Sequence, residues 1–339
     1  MILVNDYLYI FVDSEYPKFL DKYLNTKTME RLKYVTQFCG CDYTKLYNPL
    51  FLYTRFDHSL VVAHMTWHFT HDKESTIVAL LHDVGTPCFA HTIDYVYGDY
   101  LKQESSERKI VDMLKDDEEI IKYLKEDNID LNCLNDLAKY PILENKSPRL
   151  CCDRLDGVLH TCYVWLHTHT LSQIKEVYDN MCVLNNEDNA VEIGFNSAST
   201  ALKFCQMVSV YAKELQGNRD KYVMKYISEL VKKASEKGLI SLDDLYSKKE
   251  SEIIQVFENN FSSWAIFNSA DNLVCTNNKP DYFYISFDTK KRNTVPLVKT
   301  DVAAKRITEI LSSARTIYED IDAYHDTKYA YIADIKKVQ

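Results

Sequence analysis

Glycine and proline are scarce in this 339-residue chain, with 7 of each. With so few breakers, and with apolar residues recurring at helical spacing, the chain is expected to be mainly α. No apolar run reaches the roughly 18 residues that a membrane span requires. The opening Met1-Ile2-Leu3-Val4 also lacks the basic stretch of a secretory leader. A cytoplasmic protein with no membrane partner is therefore expected. A positive excess is missing too: the formal charge of -10 argues against nucleic acid as a partner, although a local basic pocket stays open. The chain has 10 cysteines but no CxxC half-site, because Cys39-Gly40-Cys41 and Cys151-Cys152 are too closely spaced. Cys162 and Cys205 fall inside apolar helical runs, so reduced, buried thiols are expected rather than disulfides or structural zinc. Internal repeats and low-complexity tracts are absent as well.

What is present suffices for a large core, since 46% of the residues are hydrophobic. Length alone predicts two domains or one large one. Short helices are predicted over 17–24 and 28–37. A longer one is predicted over 58–71, where Leu60, Val61, Ala63, His64, Trp67 and His68 recur at separations of three and four. Residues 72–75 read as a loop and N-cap, and 76–81 as a buried helix that delivers His82-Asp83 before Gly85 and Pro87 stop it. Further helices are predicted over 103–114 and 150–167, the second carrying Asp153, Asp156 and His160 on one face. The acidic run at 116–119 reads as a solvated surface.

A hairpin is expected between 181–184 and 190–195, with a polar tip over 185–189. Helices follow over 197–215, 221–237 and 242–257. A second hairpin is expected between 281–287 and 294–298, and a helix over 301–318 is expected to close the chain. The domain expectation is a lead-in of helices over 1–47, a metal-binding core over 48–175, a completing segment over 176–260, and a C-terminal α+β extension over 261–339.

The chemistry concentrates between Arg55 and His91. His58 supplies one imidazole, His82-Asp83 a nitrogen and an oxygen, and the distant Asp153 can close a mixed shell around a divalent cation. The apolar run before His82 buries the end of its helix, so an ionisable pair there must be paired or metal-bound to offset desolvation. A His/Asp shell accepts Mn, Fe, Zn, Ni or Mg. His64, His68 and His71 read as partly buried, hydrogen-bonded histidines rather than a second metal site, and His167 and His169 as surface residues. His160, one turn beyond Asp156, is a candidate substrate contact.

Arg55-Phe56-Asp57-His58-Ser59, Leu81-His82-Asp83-Val84-Gly85, Phe89-Ala90-His91 and Asp153-Arg154-Leu155-Asp156 resemble the motifs of the HD-domain metal phosphohydrolases. Within that family they are most similar to the deoxynucleoside triphosphate triphosphohydrolases. The resemblance covers most of the chain from Asn48 onward. It implies an all-α HD core with small hairpins, with His58, His82, Asp83 and Asp153 as metal ligands. It also implies Arg55 and Arg154 on phosphate oxygens, His91 as the acid for the leaving oxygen, Tyr222 near the substrate's sugar, and a homo-oligomer. The bland reading of His91 is a helix cap after a proline turn.

This chain departs from the family pattern at several positions. Thr86 stands where the pattern has a histidine, and Gln103-Glu104 replaces a His-Glu pair, with Glu104 either a substitute acid or base or an exposed helix-face carboxylate. Gly157 and Thr161 stand where the family carries Tyr and Asp. Two functions are therefore expected: a metal-dependent phosphohydrolase of a nucleotide (a deoxynucleoside triphosphate among the candidates) or related phosphate ester, or a nucleotide-binding regulatory protein with weakened catalysis.

Overall fold

Two capped helices set the geometry. Thr54 and Asp57 form a reciprocal capping box, with Thr54 Oγ1 accepting from Asp57 N at 3.2 Å and Asp57 Oδ2 accepting from Thr54 N at 2.9 Å. Asp57 therefore belongs to helix initiation. The helix Arg55–Thr70 ends at His71, whose left-handed backbone (φ 49°) turns the chain. Asp72 Oδ1 then accepts from Ser75 N at 2.7 Å and starts the next helix, Lys73–Leu81. Val61, Val62 and Met65 of the first helix and Ile77, Val78 and Leu81 of the second are fully enclosed. Each such side chain contributes roughly 1.5–3 kcal/mol by leaving water, so the tight turn and the apolar interface together fix how His58 and His82 approach.

The computed structural model describes residues 2–12, 16–103 and 110–339. Helices account for 52% of the chain and the sheets have three and four strands, so the fold is mainly α with small β elements. One hydrophobic cluster runs from Tyr7 to Val338. The helix expected over 150–167 is Cys152–His160, continued by a π turn over Thr161–Trp165. Two long helices, Ala198–Gln216 and Asn218–Glu236, meet at Gly217. Of the expected 103–114 helix, Ile110–Leu114 is described, and 104–109 lies outside the described residues.

Strands β1 (Met181–Asn185) and β2 (Val191–Phe195) form the first expected hairpin, with Met181 opposite Phe195 and Asn185 opposite Val191. The second expected hairpin does not form. β4 (Tyr284–Ile285) pairs antiparallel with β7 (Tyr329–Tyr331), whose other edge holds β3 (Val274–Thr276). β5 (Leu297–Val298) runs parallel to β2 and antiparallel to β6 (Lys305–Arg306). Alternation marks a strand but does not name its partner, and the chain between β4 and β5 has no two-residue turn to close a hairpin. Gly194 permits the β2–β5 approach, because a Cβ there would meet Leu297 O at 2.9 Å.

The closing helix differs too. Its residues divide into β6, a short helix Ile307–Ile310 and a longer one Ser312–Asp322, and β7 follows. Arg306 accounts for the strand, since it pairs with the fully buried Glu192 at 2.6 Å and with Glu187 at 2.8 Å and so pins that edge to the hairpin.

Candidate metal centre

Three helix ends converge on one point. His58 lies in the first turn of Arg55–Thr70, His82 caps the C-terminus of Lys73–Leu81, and Asp153 lies in the first turn of Cys152–His160. One ligand atom each from His58, His82 and Asp83 lie within 4.8 Å of one another. Asp153 Oδ1 is 3.1 Å from His58 Nε2 and 3.7 Å from His82 Nε2. The imidazoles are buried, whereas the side chains of Asp83 and Asp153 are 17% and 33% exposed. The carboxylate side is therefore where a ligand can enter.

Both imidazoles are held from behind. His58 Nδ1 donates to Asp156 Oδ2 at 2.6 Å, and His82 Nδ1 donates to the Ala79 carbonyl at 2.6 Å. Those bonds fix the rings with both Nε2 atoms directed at the carboxylates, the outer-sphere pattern of metal-bound histidine. Asp156 is itself over-determined: Tyr7 donates to its Oδ1 at 2.7 Å and Tyr53 to its Oδ2 at 3.0 Å. His82 Nε2 is buried and has no hydrogen-bond partner. An enclosed imidazole nitrogen left open beside two carboxylates fits a cation, and the mixed nitrogen and oxygen donor set suits a divalent one.

The electrostatics agree. Burial opposes a charge on His58, but Asp153, Asp156 and Asp83 outweigh it and hold the imidazole protonated up to about 10. His82 is raised as well, its burial offset chiefly by Asp83. Burial likewise opposes ionisation of Asp83, yet Arg55 with His82 and His58 holds its carboxyl far below the ordinary range. Asp153 is depressed as well, its burial outweighed by the hydrogen bond to His58 and the positive charge of the adjacent His82. The cluster thus selects positive charge at its centre, and protons on the two imidazoles occupy the place a cation would take.

Arg55 Nη1 donates to Asp83 Oδ2 at 2.7 Å, and Thr86 Oγ1 donates to Asp83 Oδ1 at 2.9 Å. Each oxygen keeps a second lone pair for coordination. His91 heads the helix Thr92–Val96 but makes no side-chain capping bond, and its Nδ1 lies 3.2 Å from Asp94 Oδ2. Phe89 and Ala90 before it adopt φ values of 61° and 44°, strain that is held by Glu250 accepting from Phe89 N at 2.7 Å. Burial pushes the His91 imidazole down against its hydrogen bond to Asp94, and the guanidiniums of Arg292 and Arg55 add to the depression.

The remaining sequence candidates occupy other settings. His160 sits behind His58, its Nδ1 bonded to the Asp156 carbonyl at 2.7 Å and its ring stacked on Tyr53. Arg154 is engaged by its own loop, donating to Glu144 Oε1 at 2.7 Å, to Asn145 Oδ1 at 2.7 Å and to the Arg149 carbonyl at 2.6 Å. Tyr222 is fully buried, with ring contacts to Tyr226 and Phe283. Glu104 lies outside the described residues. Sequence reasoning did not find the anchoring role of Asp156, Tyr7 and Tyr53. The available signal was Asp156 one helical turn after Asp153, while nothing in the sequence joins it to a tyrosine 149 residues away.

No family model matches the chain. Over 242 residues, 70% of this chain and 70% of the relative, it is 26% identical to YdhJ, an uncharacterised protein of Bacillus subtilis. A hypothetical protein of Aquifex aeolicus aligns over 93% of this chain and 92% of its own, with a TM-score of 0.47 and 15% identity. A phosphohydrolase of Bacteroides thetaiotaomicron superposes with a TM-score of 0.60 over 92% of this chain and 94% of its own, at 13% identity. What that structure shares with this chain is its fold.

Proposed function

We propose that the chain is a metal-dependent phosphohydrolase of the HD type, acting on phosphate esters, with nucleotides as the substrate class. The observation that carries the reading is the buried, unpartnered Nε2 of His82 directed with His58 Nε2 at two carboxylates. His58, His82, Asp83 and Asp153 would hold the cation, which when bound supplies Lewis acidity toward a phosphoryl oxygen and toward water. Arg55, fixed by Asp83 and 6% exposed, presents a dehydrated positive charge beside that centre. His91, oriented through Nδ1 by Asp94, would in its imidazolium form hand the Nε2 proton to the leaving oxygen and return to the neutral ring.

A second reading, a nucleotide-binding regulatory protein with little turnover, is favoured by Thr86, whose hydroxyl is committed to Asp83 and offers no titratable proton at neutral pH. Metal analysis of the purified chain separates the two, coupled to a screen of nucleotides and phosphate esters with product identification beside Asp153→Ala. Turnover on the order of 1 per second or faster, dependent on metal and Asp153, is the expected result. Bound metal with tight nucleotide binding and no turnover would overturn the hydrolase in favour of the regulator.

A further inference from the structure

The segment between β4 and β5 carries three consecutive basic residues, Lys290, Lys291 and Arg292, in an otherwise acidic chain. It is tied down on both sides of the metal cluster. At one end Lys290 N donates to the Tyr100 carbonyl at 3.1 Å and Thr289 Oγ1 to the same carbonyl at 3.2 Å, just beyond the helix that His91 heads. At the other, Val295 N donates to the Pro148 carbonyl at 2.8 Å and Ser147 Oγ to the Asn293 carbonyl at 3.3 Å, in the loop that leads into the Asp153 helix. The segment is a strap from the His91 side of the site to the Asp153 side.

Arg292 is the residue this strap holds in place. Its Nη2 donates to Gln103 Oε1 at 2.6 Å, and Gln103, 4% exposed, is fixed in turn through its Nε2 to Thr289 Oγ1 at 3.2 Å. A neutral amide anchors the guanidinium without cancelling its charge. Among the described residues Arg292 makes no ion pair. Its field reaches His91 and Tyr211, groups that also feel Arg55 and Asp153 respectively. Among the described residues no ion pair joins it to Asp220, a carboxyl that feels its charge and that burial with the nearby Glu214 pushes up to about 7. A half-buried guanidinium, oriented by a neutral amide, without an ion pair among the described residues and within electrostatic reach of His91, suits an anionic ligand.

We propose that Arg292 binds the substrate's phosphoryl group together with Arg55, so that the C-terminal strap completes the site and makes it selective for dianionic phosphates. The inference rests on the metal-site reading in one respect. Asp83 and Asp153 face the cation, and Arg55, which also holds Asp83, and Arg292 add two guanidiniums whose donors suit the three free oxygens of a terminal phosphoryl group better than the two of a monoanionic diester. Arg154, spent on Glu144 and its own loop, does not contribute to that count.

The test uses the full chain loaded with Mn(II) and titrated calorimetrically with inorganic phosphate and with dimethyl phosphate, and the metal content of every variant is measured. Arg292→Ala is expected to weaken phosphate binding about 10- to 100-fold, the usual effect of losing a charge-assisted bond. Gln103→Glu keeps the anchor but pairs the guanidinium, and is expected to do the same. Lys291→Ala, whose ammonium bonds the Asp322 carbonyl at 2.7 Å, should bind as wild type does. Wild type should prefer phosphate to dimethyl phosphate, and Arg292→Ala should lose that preference. Metal content and melting temperature should hold in both Arg292→Ala and Gln103→Glu. Undiminished phosphate affinity in the two variants, or a wild type that binds no phosphate, overturns the proposal. Failure of the metal-site reading shows separately, as a wild type without metal.

Discussion

Two clusters of ligand-type side chains share His58. Through Nε2 it faces His82, Asp83 and Asp153, and through Nδ1 it faces Asp156 and His160. Residue types and spacing do not separate them, because both bring three ligand atoms within 4.8 Å. Hydrogen-bond satisfaction does. Asp156 receives Tyr7, Tyr53 and His58 and is fully enclosed, so that cluster is complete without a cation. The other leaves His82 Nε2 buried and open. One cluster is a scaffold and the other a candidate centre, and the same imidazole ring links them.

The largest effects should come from the open cluster. His82→Ala and Asp153→Ala each remove a proposed ligand, and metal affinity should fall by more than the roughly 10- to 100-fold expected when only an orienting partner is lost. Equilibrium metal competition reads this directly. Asp156→Asn should fall within that 10- to 100-fold range. Asp156→Ala should in addition destabilise the fold by about 3–5 kcal/mol, since it strands His58 and two tyrosine hydroxyls inside the core. Chemical denaturation of the metal-free proteins measures that loss. Asp156→Asn behaving like His82→Ala in the metal assay would erase the distinction between the clusters.

A third buried acid sharpens the contrast. Glu250 receives Phe89 N at 2.7 Å and Tyr43 Oη at 3.0 Å but pairs with no cation among the described residues, and burial with the charge of Asp42 pushes its carboxyl from 4.5 up to about 7. The folded chain then holds that proton more tightly than the unfolded chain. Stability from this group is full below pH 4.5 and is lost as pH rises to about 7, by on the order of 3 kcal/mol. Glu250→Gln should flatten that part of the stability profile, as followed by denaturation at pH 5 and pH 8. The smallest expected effect is Tyr53→Phe, which leaves Asp156 with two donors and should cost about 1 kcal/mol.

Much of the framework around the candidate centre was legible because its parts are local. The periodicity from Leu60 to His68 marked one helix, Asp72 the cap of the next, and the apolar run before His82 the burial that makes an ionisable pair there informative. The β1–β2 hairpin was legible for the same reason, with its turn between its strands. The unreadable parts depend on distant contacts. Tyr7 reaches Asp156, Arg292 reaches Gln103 across 189 residues, and β4 finds its partner in β7, beyond β5 and β6 in the chain. Arg154 shows a different limit: it stands beside Asp153 in sequence, yet the carbonyls and the Glu144 carboxylate of its own loop capture the guanidinium.

The most direct test of the central claim is a metal titration of the wild-type chain beside His82→Ala and His160→Ala, since these two histidines belong to opposite sides of His58. One tightly bound divalent ion in wild type, kept by His160→Ala and lost by His82→Ala, is the predicted result. Loss in His160→Ala with retention in His82→Ala would move the centre to the Asp156 side and contradict the account.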